Sequence, residues 1–273
     1  MNHPLAEIEA RLRQAERLRL FLDYDGTLAD LAPTPDHVEP DPAVVTLIER
    51  LARASSIRVA IISGRRLAHV ERLVPVDGIL LAGTYGVELR MPTGQRVERV
   101  AYGAIRPHLE RIKPRWERLI EGREGFFLED KDWSLALHAR YAGDDEAGET
   151  LDAARNVLEA FSLPPGTFRV LGGHKFLEVG PKLAHKGKTV AYLLDRDPLL
   201  GAVALYLGDD DKDEEAFGVV QDRGGWAILV SDSDRSTSAD ARLGSPQAVR
   251  RCLGGLLSSF SSPELSPLPI RHS

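Results

Sequence analysis

The apolar positions of this chain change period along its length. Leu5, Ile8, Leu12 and Ala15 recur at near-helical spacing and predict a helix over Pro4 to Arg17. "LRLFL" then turns apolar and stops at Asp23. "DPAVVTLIERLARAS" predicts a second helix, with Asp41 as N-cap and Pro42 at its first position. "IRVAII" is a continuous β-rich run that ends at Ser63-Gly64, "RRLAHVERLV" predicts another helix, and "GILLAG" another short buried strand. Strands that are apolar along their whole length and alternate with helices predict a parallel sheet covered on both faces.

After about Arg90 the pattern changes. "VELRM", "QRVERV", "GFFLED" and "WSLALHA" alternate apolar with polar residues, which predicts antiparallel strands with one wet face. "IRPHLERIKPRWERLI" and "DDEAGETLDAARNVLEAF" predict helices, the first of which Pro114 should end or bend. "TFRVLGG" and "HKFLEVG" predict a hairpin. From about Ala184 the first texture resumes, with helix "HKGKTVAYLLD", strand "AVALYLGDD", helix "DEEAFGVV" and strand "GWAILVS". The expected fold is α/β: a Rossmann-like parallel-sheet core, residues 1–92 and 182–262, interrupted by an α+β insert, residues 93–181. The Ser/Pro-rich stretch "SSFSSPELSPLPIRHS" predicts a loosely ordered tail, flexible over 263–273.

Composition narrows the function classes. The chain has 273 residues and a formal net charge of −6, which argues against a non-specific nucleic-acid binder. It leaves room for a local basic pocket that takes an anionic small molecule. A single cysteine, Cys252, permits no intrachain disulfide and fits a reducing compartment. The charged N-terminal stretch lacks the apolar core of a signal peptide, and no apolar run reaches membrane-spanning length. These features predict a cytoplasmic protein with no membrane or nucleic-acid partner, and we expect a monomer.

Three predicted strands end in polar clusters: Asp23-x-Asp25, Ser63-Gly64 and Asp209-Asp210. In an open parallel sheet the ligand site lies beyond the carboxyl ends of the strands. If these strands are neighbours, the clusters meet in one crevice. Crowded carboxylates repel, and a hard divalent cation such as Mg²⁺ would offset that repulsion. Mg²⁺ in turn suits a phosphorylated substrate. Taken singly, each cluster has a plainer reading. Asp-x-Asp-Gly is often a turn, Ser-Gly a helix cap, and "DDDKDEE" an acidic helix start.

The ordered set is more specific. "DYDGTL" resembles the D-x-D-G-T-[LV] signature of the haloacid dehalogenase superfamily of phosphatases. "IISGR", "AHKGKTV" and "GDDDKDEEAF" resemble its second, third and fourth motifs, in the superfamily's order. The resemblance implies Asp23 as nucleophile, Asp25 as general acid and base, and Ser63 and Lys186 as phosphate-binding groups, with Lys188 a rival for Lys186. It implies Asp23, Asp25 through its carbonyl, and Asp209 as Mg²⁺ ligands, supported by Asp210 and Asp213. Gly64 and Arg65 would join the phosphate site.

The insert and its flanks resemble trehalose-6-phosphate phosphatases. The matching pieces are "AGTYGVELR", "FFLEDKDWSLALHAR" and "GGHKFLEVGP" followed by "HKG". With the motifs above, the similarity runs from about residue 18 to residue 230. It implies a cap that selects the sugar through Glu129, Lys131 and Glu178, with Arg140 and His138 assisting. Gly83, Tyr85 and Glu88 would contribute from the core side. The chain departs from that family at Thr84-Tyr85, Gly180, His185 and Lys212, and none of these removes a catalytic group. The implied function is hydrolysis of trehalose 6-phosphate as the last step of trehalose synthesis. Alternatives are another sugar phosphate, such as sucrose phosphate or a glucosyl- or mannosyl-glycerate phosphate, and a non-catalytic sugar-phosphate sensor.

Overall fold

The computed structural model describes residues 4–31, 39–173 and 175–260. The tail expected over 263–273 lies outside the described residues, as does His174 within the expected hairpin. In chain order the elements begin with α1 (Leu5–Gln14), β1 (Arg17–Leu22), α2 (Pro42–Arg53), β2 (Ile57–Ile62), α3 (Leu67–Leu73) and β3 (Leu80–Gly83). A tight turn, Thr84–Gly86, leads to β4 (Glu88–Arg90) and β5 (Arg96–Glu98). Next come α4 (Tyr102–Ile120), β6 (Phe127–Asp130), β7 (Leu135–His138), α5 (Asp144–Ala160), β8 (Phe168–Gly173) and β9 (Phe176–Pro181). The chain continues through α6 (Lys186–Arg196), β10 (Ala202–Gly208), α7 (Asp211–Asp222), β11 (Trp226–Val230), β12 (Ala241–Leu243) and α8 (Pro246–Phe260).

Eight strands form one sheet in the order β12-β11-β10-β1-β2-β3-β4-β5. The pairs from β12 to β3 are parallel, and β4 and β5 close the edge antiparallel. Side chains alternate across a strand, so Leu18, Leu20 and Leu22 of β1 share a buried cluster with residues of α1, α2, α3 and α8. Phe21 faces the other way and shares a second cluster with residues of α6 and α7. The apolar texture of the core strands thus has its expected cause, since both sheet faces are covered.

A second sheet, β6-β7-β9-β8, is antiparallel. Leu135, Leu137, Leu177 and Val179 point from it into a cluster with Ile105, Leu109, Ile112 and Trp116 of α4. The opposite alternating set includes Glu129 and His138, both half-buried, and Glu178, which is buried, so this face is drier than the alternation of the sequence predicts.

Three expectations need correction. β5 (Arg96–Glu98) pairs with β4, so this part of the stretch expected in the insert extends the eight-stranded sheet. Pro114 does not end its helix: α4 runs through both Pro107 and Pro114. Its four buried apolar residues lie on one face, and that packing outweighs the missing hydrogen bonds. Ser258 to Phe260, grouped in the sequence with the tail, form the last turn of α8.

Candidate active site

β1 lies between β10 and β2, with Leu22 in register with both Leu207 and Ile61. The residues just past these three strands are therefore neighbours: Asp23 after β1, Ser63 after β2 and Asp209 after β10. All three, with Asp25, Lys186 and Asp210, line one cleft of about 230 Å³ that is open to solvent. The second sheet forms its far wall through Phe127, Glu129, Lys131, His138 and Arg140.

The floor is a compact charge network. Asp23 is 5% exposed, Lys186 3% and Asp213 fully buried. Lys186 Nζ donates to Asp23 Oδ1 at 2.7 Å and to Asp213 Oδ1 at 2.6 Å. Tyr206 OH also donates to Asp213 Oδ1 at 2.7 Å, and the amides of Asp209 and Asp210 both donate to Asp213 Oδ2 at 3.1 Å. Asp213 is thus fully engaged and serves as the anchor of Lys186 and of the β10–α7 turn. Asp210 is the N-cap of α7 and forms a capping box with Asp213. The acidic run therefore starts a helix and also builds the site. Lys188 is exposed and donates to the carbonyl of Lys182 instead, so Lys186 is the lysine in the cleft.

Burial and like charge set the protonation of this floor. Burial, then the Asp213 and Asp210 carboxylates, push Asp209 up to about 7. Burial also holds Asp23 well above the usual carboxylate range, against the opposing pull of Lys186. For Lys186 burial works against the charged form, but Asp213 and Asp23 more than offset it and hold the ammonium well above its ordinary value. For Asp210 burial is likewise outweighed, by Lys186 and Lys212, and the carboxyl lies below its ordinary value.

Asp25 is gripped by Arg65, whose Nε and Nη2 donate to its two carboxylate oxygens at 2.7 Å each. The Arg65 amide donates to Ser63 Oγ at 3.1 Å. Gly26 turns the chain with φ of +76°, and a Cβ there would lie 2.1 Å from Asp209 Oδ2, so only glycine fits. Asp30 is exposed and bonded to Gln247 from outside the cleft.

On the far wall Lys131 Nζ donates to Glu178 Oε2 at 3.2 Å and lies 3.7 Å from Glu129 Oε2. Ser134 Oγ donates to Glu178 Oε1 at 2.6 Å, and His138 Nε2 lies 3.1 Å from Glu129 Oε2. Burial raises Glu129, but His138 and Lys131 outweigh it and hold the carboxyl below its ordinary value. Glu178 is only 2% exposed and stands behind Lys131 rather than on the cleft surface. Gly83 and Glu88 are also absent from the lining. Gly83 instead lets α3 approach, because a Cβ there would meet the Leu67 amide nitrogen at 2.2 Å. Phe127 and Leu31 line the cleft without having been singled out as candidates. The alternation of "GFFLED" placed Phe127 on the same face as Glu129, and that was the available signal.

Residues 21–247 match the family Trehalose-phosphatase. The chain belongs to this family. It is 35% identical over 253 residues to the trehalose-phosphate phosphatase of Mycobacterium marinum, covering 90% of this chain and 63% of that protein. It is 34% identical over 241 residues to the trehalose-phosphate phosphatase of Mycobacterium tuberculosis, covering 86% and 60%. The chain thus spans somewhat over half the length of these relatives. Among solved structures, the C-terminal domain of Candida albicans trehalose-6-phosphate phosphatase matches with a TM-score of 0.82 and 22% identity, over 94% of this chain and 98% of that one. Aspergillus fumigatus trehalose-6-phosphate phosphatase matches with a TM-score of 0.68 and 26% identity, over 94% and 98%. The matched residues span both sheets that wall the Asp23 cleft. Among the described residues no helix is long and apolar enough to cross a membrane.

Proposed function

We propose that this chain is a phosphatase that hydrolyses trehalose 6-phosphate to trehalose and inorganic phosphate, with Mg²⁺ as cofactor and Asp23 as nucleophile. The observation that carries this reading is the convergence of Asp23, Asp25, Ser63, Lys186 and Asp209 beyond adjacent strands of a trehalose-phosphatase fold. The names of the mycobacterial relatives support the substrate.

The residues fit a hard cation. Carboxylate oxygens of Asp23, Asp209 and Asp213 lie within 4.8 Å of one another. Asp213 is already engaged by four donors, so Asp23, Asp209 and the Asp25 carbonyl would hold the ion. An all-oxygen set suits Mg²⁺. When bound, Mg²⁺ would shield the anionic phosphate from the anionic nucleophile.

The chain's own groups divide the remaining work. An Asp23 carboxylate oxygen attacks phosphorus, the bond from phosphorus to the sugar oxygen breaks, and Asp25 gives its proton to that oxygen. Water then attacks the phosphoryl group, the Asp23–phosphorus bond breaks, and Asp25 takes the water's proton. Ser63 and Lys186 stabilise the charge on the transferring oxygens. Arg65 fixes the direction of the Asp25 carboxyl, and Glu129, Lys131 and Arg140 bind sugar hydroxyls, with Glu178 holding Lys131 in place. The insert, residues 99–181, acts as the cap that selects the sugar. We expect a monomer, and light scattering of the purified protein checks this.

Phosphate release from a panel of sugar phosphates, with Mg²⁺ and with a chelator, tests the reading. Trehalose 6-phosphate should be the best substrate and the chelator should abolish turnover. Preference for sucrose phosphate or a glycosyl-glycerate phosphate would transfer the same chemistry to that substrate. Release no faster from trehalose 6-phosphate than from p-nitrophenyl phosphate would contradict the assignment.

A further inference from the structure

The turn Thr84–Gly86 sits where three parts of the molecule meet. Thr84 and Tyr85 both take left-handed backbone conformations, with φ of 47° and 55°. Non-glycine residues rarely adopt these angles, and surrounding contacts must hold them. The Thr84 amide donates to the Arg65 carbonyl at 2.7 Å and the Tyr85 amide to the Ser63 carbonyl at 2.8 Å. The turn is therefore laced to the loop that carries Ser63, Gly64 and Arg65. Thr189 Oγ1, one turn beyond Lys186 on α6, donates to the Tyr85 carbonyl at 2.7 Å. Arg99 donates to Thr189 Oγ1 at 2.8 Å and to the Gly86 carbonyl at 2.9 Å.

The Tyr85 side chain leaves this base and crosses to the second sheet. Its ring lies over Gly64, where a Cβ would come within 2.7 Å of the ring. It joins the buried cluster of the insert with Leu135, Leu137 and Leu177. Its hydroxyl donates to Glu178 Oε2 at 3.3 Å, the same oxygen that accepts from Lys131.

We propose that Tyr85 is a positioning residue that couples the two halves of the site: it orients the Glu178–Lys131 pair that meets the sugar from a turn laced to the loop that meets the phosphate. This rests on the sugar-phosphate reading above and adds to it a residue by which recognition of the sugar registers at the phosphate. Tyr85 acts through Glu178 and Lys131, so its effect belongs to substrates with a sugar to grip. A small aryl phosphate does not engage that pair. A tyrosine that only filled space would affect both substrates alike.

The test compares wild type, Y85F, K131A and the double variant Y85F/K131A. For each, kcat and KM are measured with p-nitrophenyl phosphate and with the sugar phosphate that the wild type prefers. Y85F keeps the ring over Gly64, and thermal denaturation verifies its fold. Loss of a hydrogen bond to a carboxylate should lower the sugar-to-aryl ratio of kcat/KM about tenfold, mainly through KM. In the K131A background the same change should lower the ratio less than about twofold, because the pair is already broken. An unchanged ratio in Y85F, or an equal fall in the K131A background, would overturn the proposal while leaving the substrate reading intact. A wild type with no preference for any sugar phosphate would overturn the reading and the proposal together.

Discussion

Asp209 carries the clearest pH consequence at the residue scale. Burial and neighbouring carboxylates raise it from 3.8 to about 7 in the folded, metal-free protein. A raised carboxyl binds its proton more tightly folded than unfolded. This group therefore costs the fold nothing below about pH 4, and its cost grows as the pH rises through 7. A cation that neutralises the cluster removes that cost, and binding below pH 7 must first displace the proton. Mg²⁺ should therefore raise the melting temperature more at pH 8 than at pH 5.5, as scanning fluorimetry would read. An equal or larger rise at pH 5.5 would count against the cluster as the metal site. Asp213 makes a second case. Replacing it with alanine strips Lys186, Tyr206 and two amides of a shared buried acceptor. D213A should lose about 3–5 kcal/mol of stability in urea titration, far more than an exposed acid would.

The element scale shows how a local signal and its surroundings compete. Helix α4 contains two interior prolines, and Pro114 is exposed. Its ring removes one backbone hydrogen bond and crowds the preceding turn. P114A should therefore stabilise the protein by about 1–3 kcal/mol, with unfolded-chain entropy offsetting part of the gain. Unchanged or lower stability would mean that the proline's own contacts hold the helix. The same contest explains what the sequence could reveal. The strands ending at Asp23, Ser63 and Asp209 were legible because each is wholly apolar and stops at a polar cluster, and doubly wound topology brings such ends together. The polar face carrying Glu129 and His138 was legible from alternation, but not that the cleft half-buries it. Helix α8 was not, because Gly254-Gly255 weakens the helical pattern and the serines at its end were grouped with the tail. Only the packing of Val249, Leu253 and Leu256 against α1 and α2 makes it a helix. Glu178 entered as a sugar ligand through the resemblance, and alternation gives its face but not its depth. Tyr85 gave no backbone signal, since nothing local favours a left-handed tyrosine.

At the scale of the whole molecule the site is a joint between two sheets. In the proposed function the core side would supply the groups that face phosphorus, and the second sheet those that face the sugar. They meet through Tyr85 and Glu178, through the ion pair of Arg66 with Asp132, and through Arg169, whose Nη2 donates to Glu215 Oε1 at 2.6 Å. On this reading reaction type and substrate choice are carried by separate elements, joined at Tyr85. Everything rests on Asp23 acting as the nucleophile on a sugar phosphate. The most direct measurement is Mg²⁺-dependent phosphate release from trehalose 6-phosphate by wild type and by D23N, with circular dichroism to verify the fold. Turnover by the wild type and a fall on the order of 10³-fold or more in folded D23N is the predicted result. Release by D23N at near wild-type rate would contradict the account.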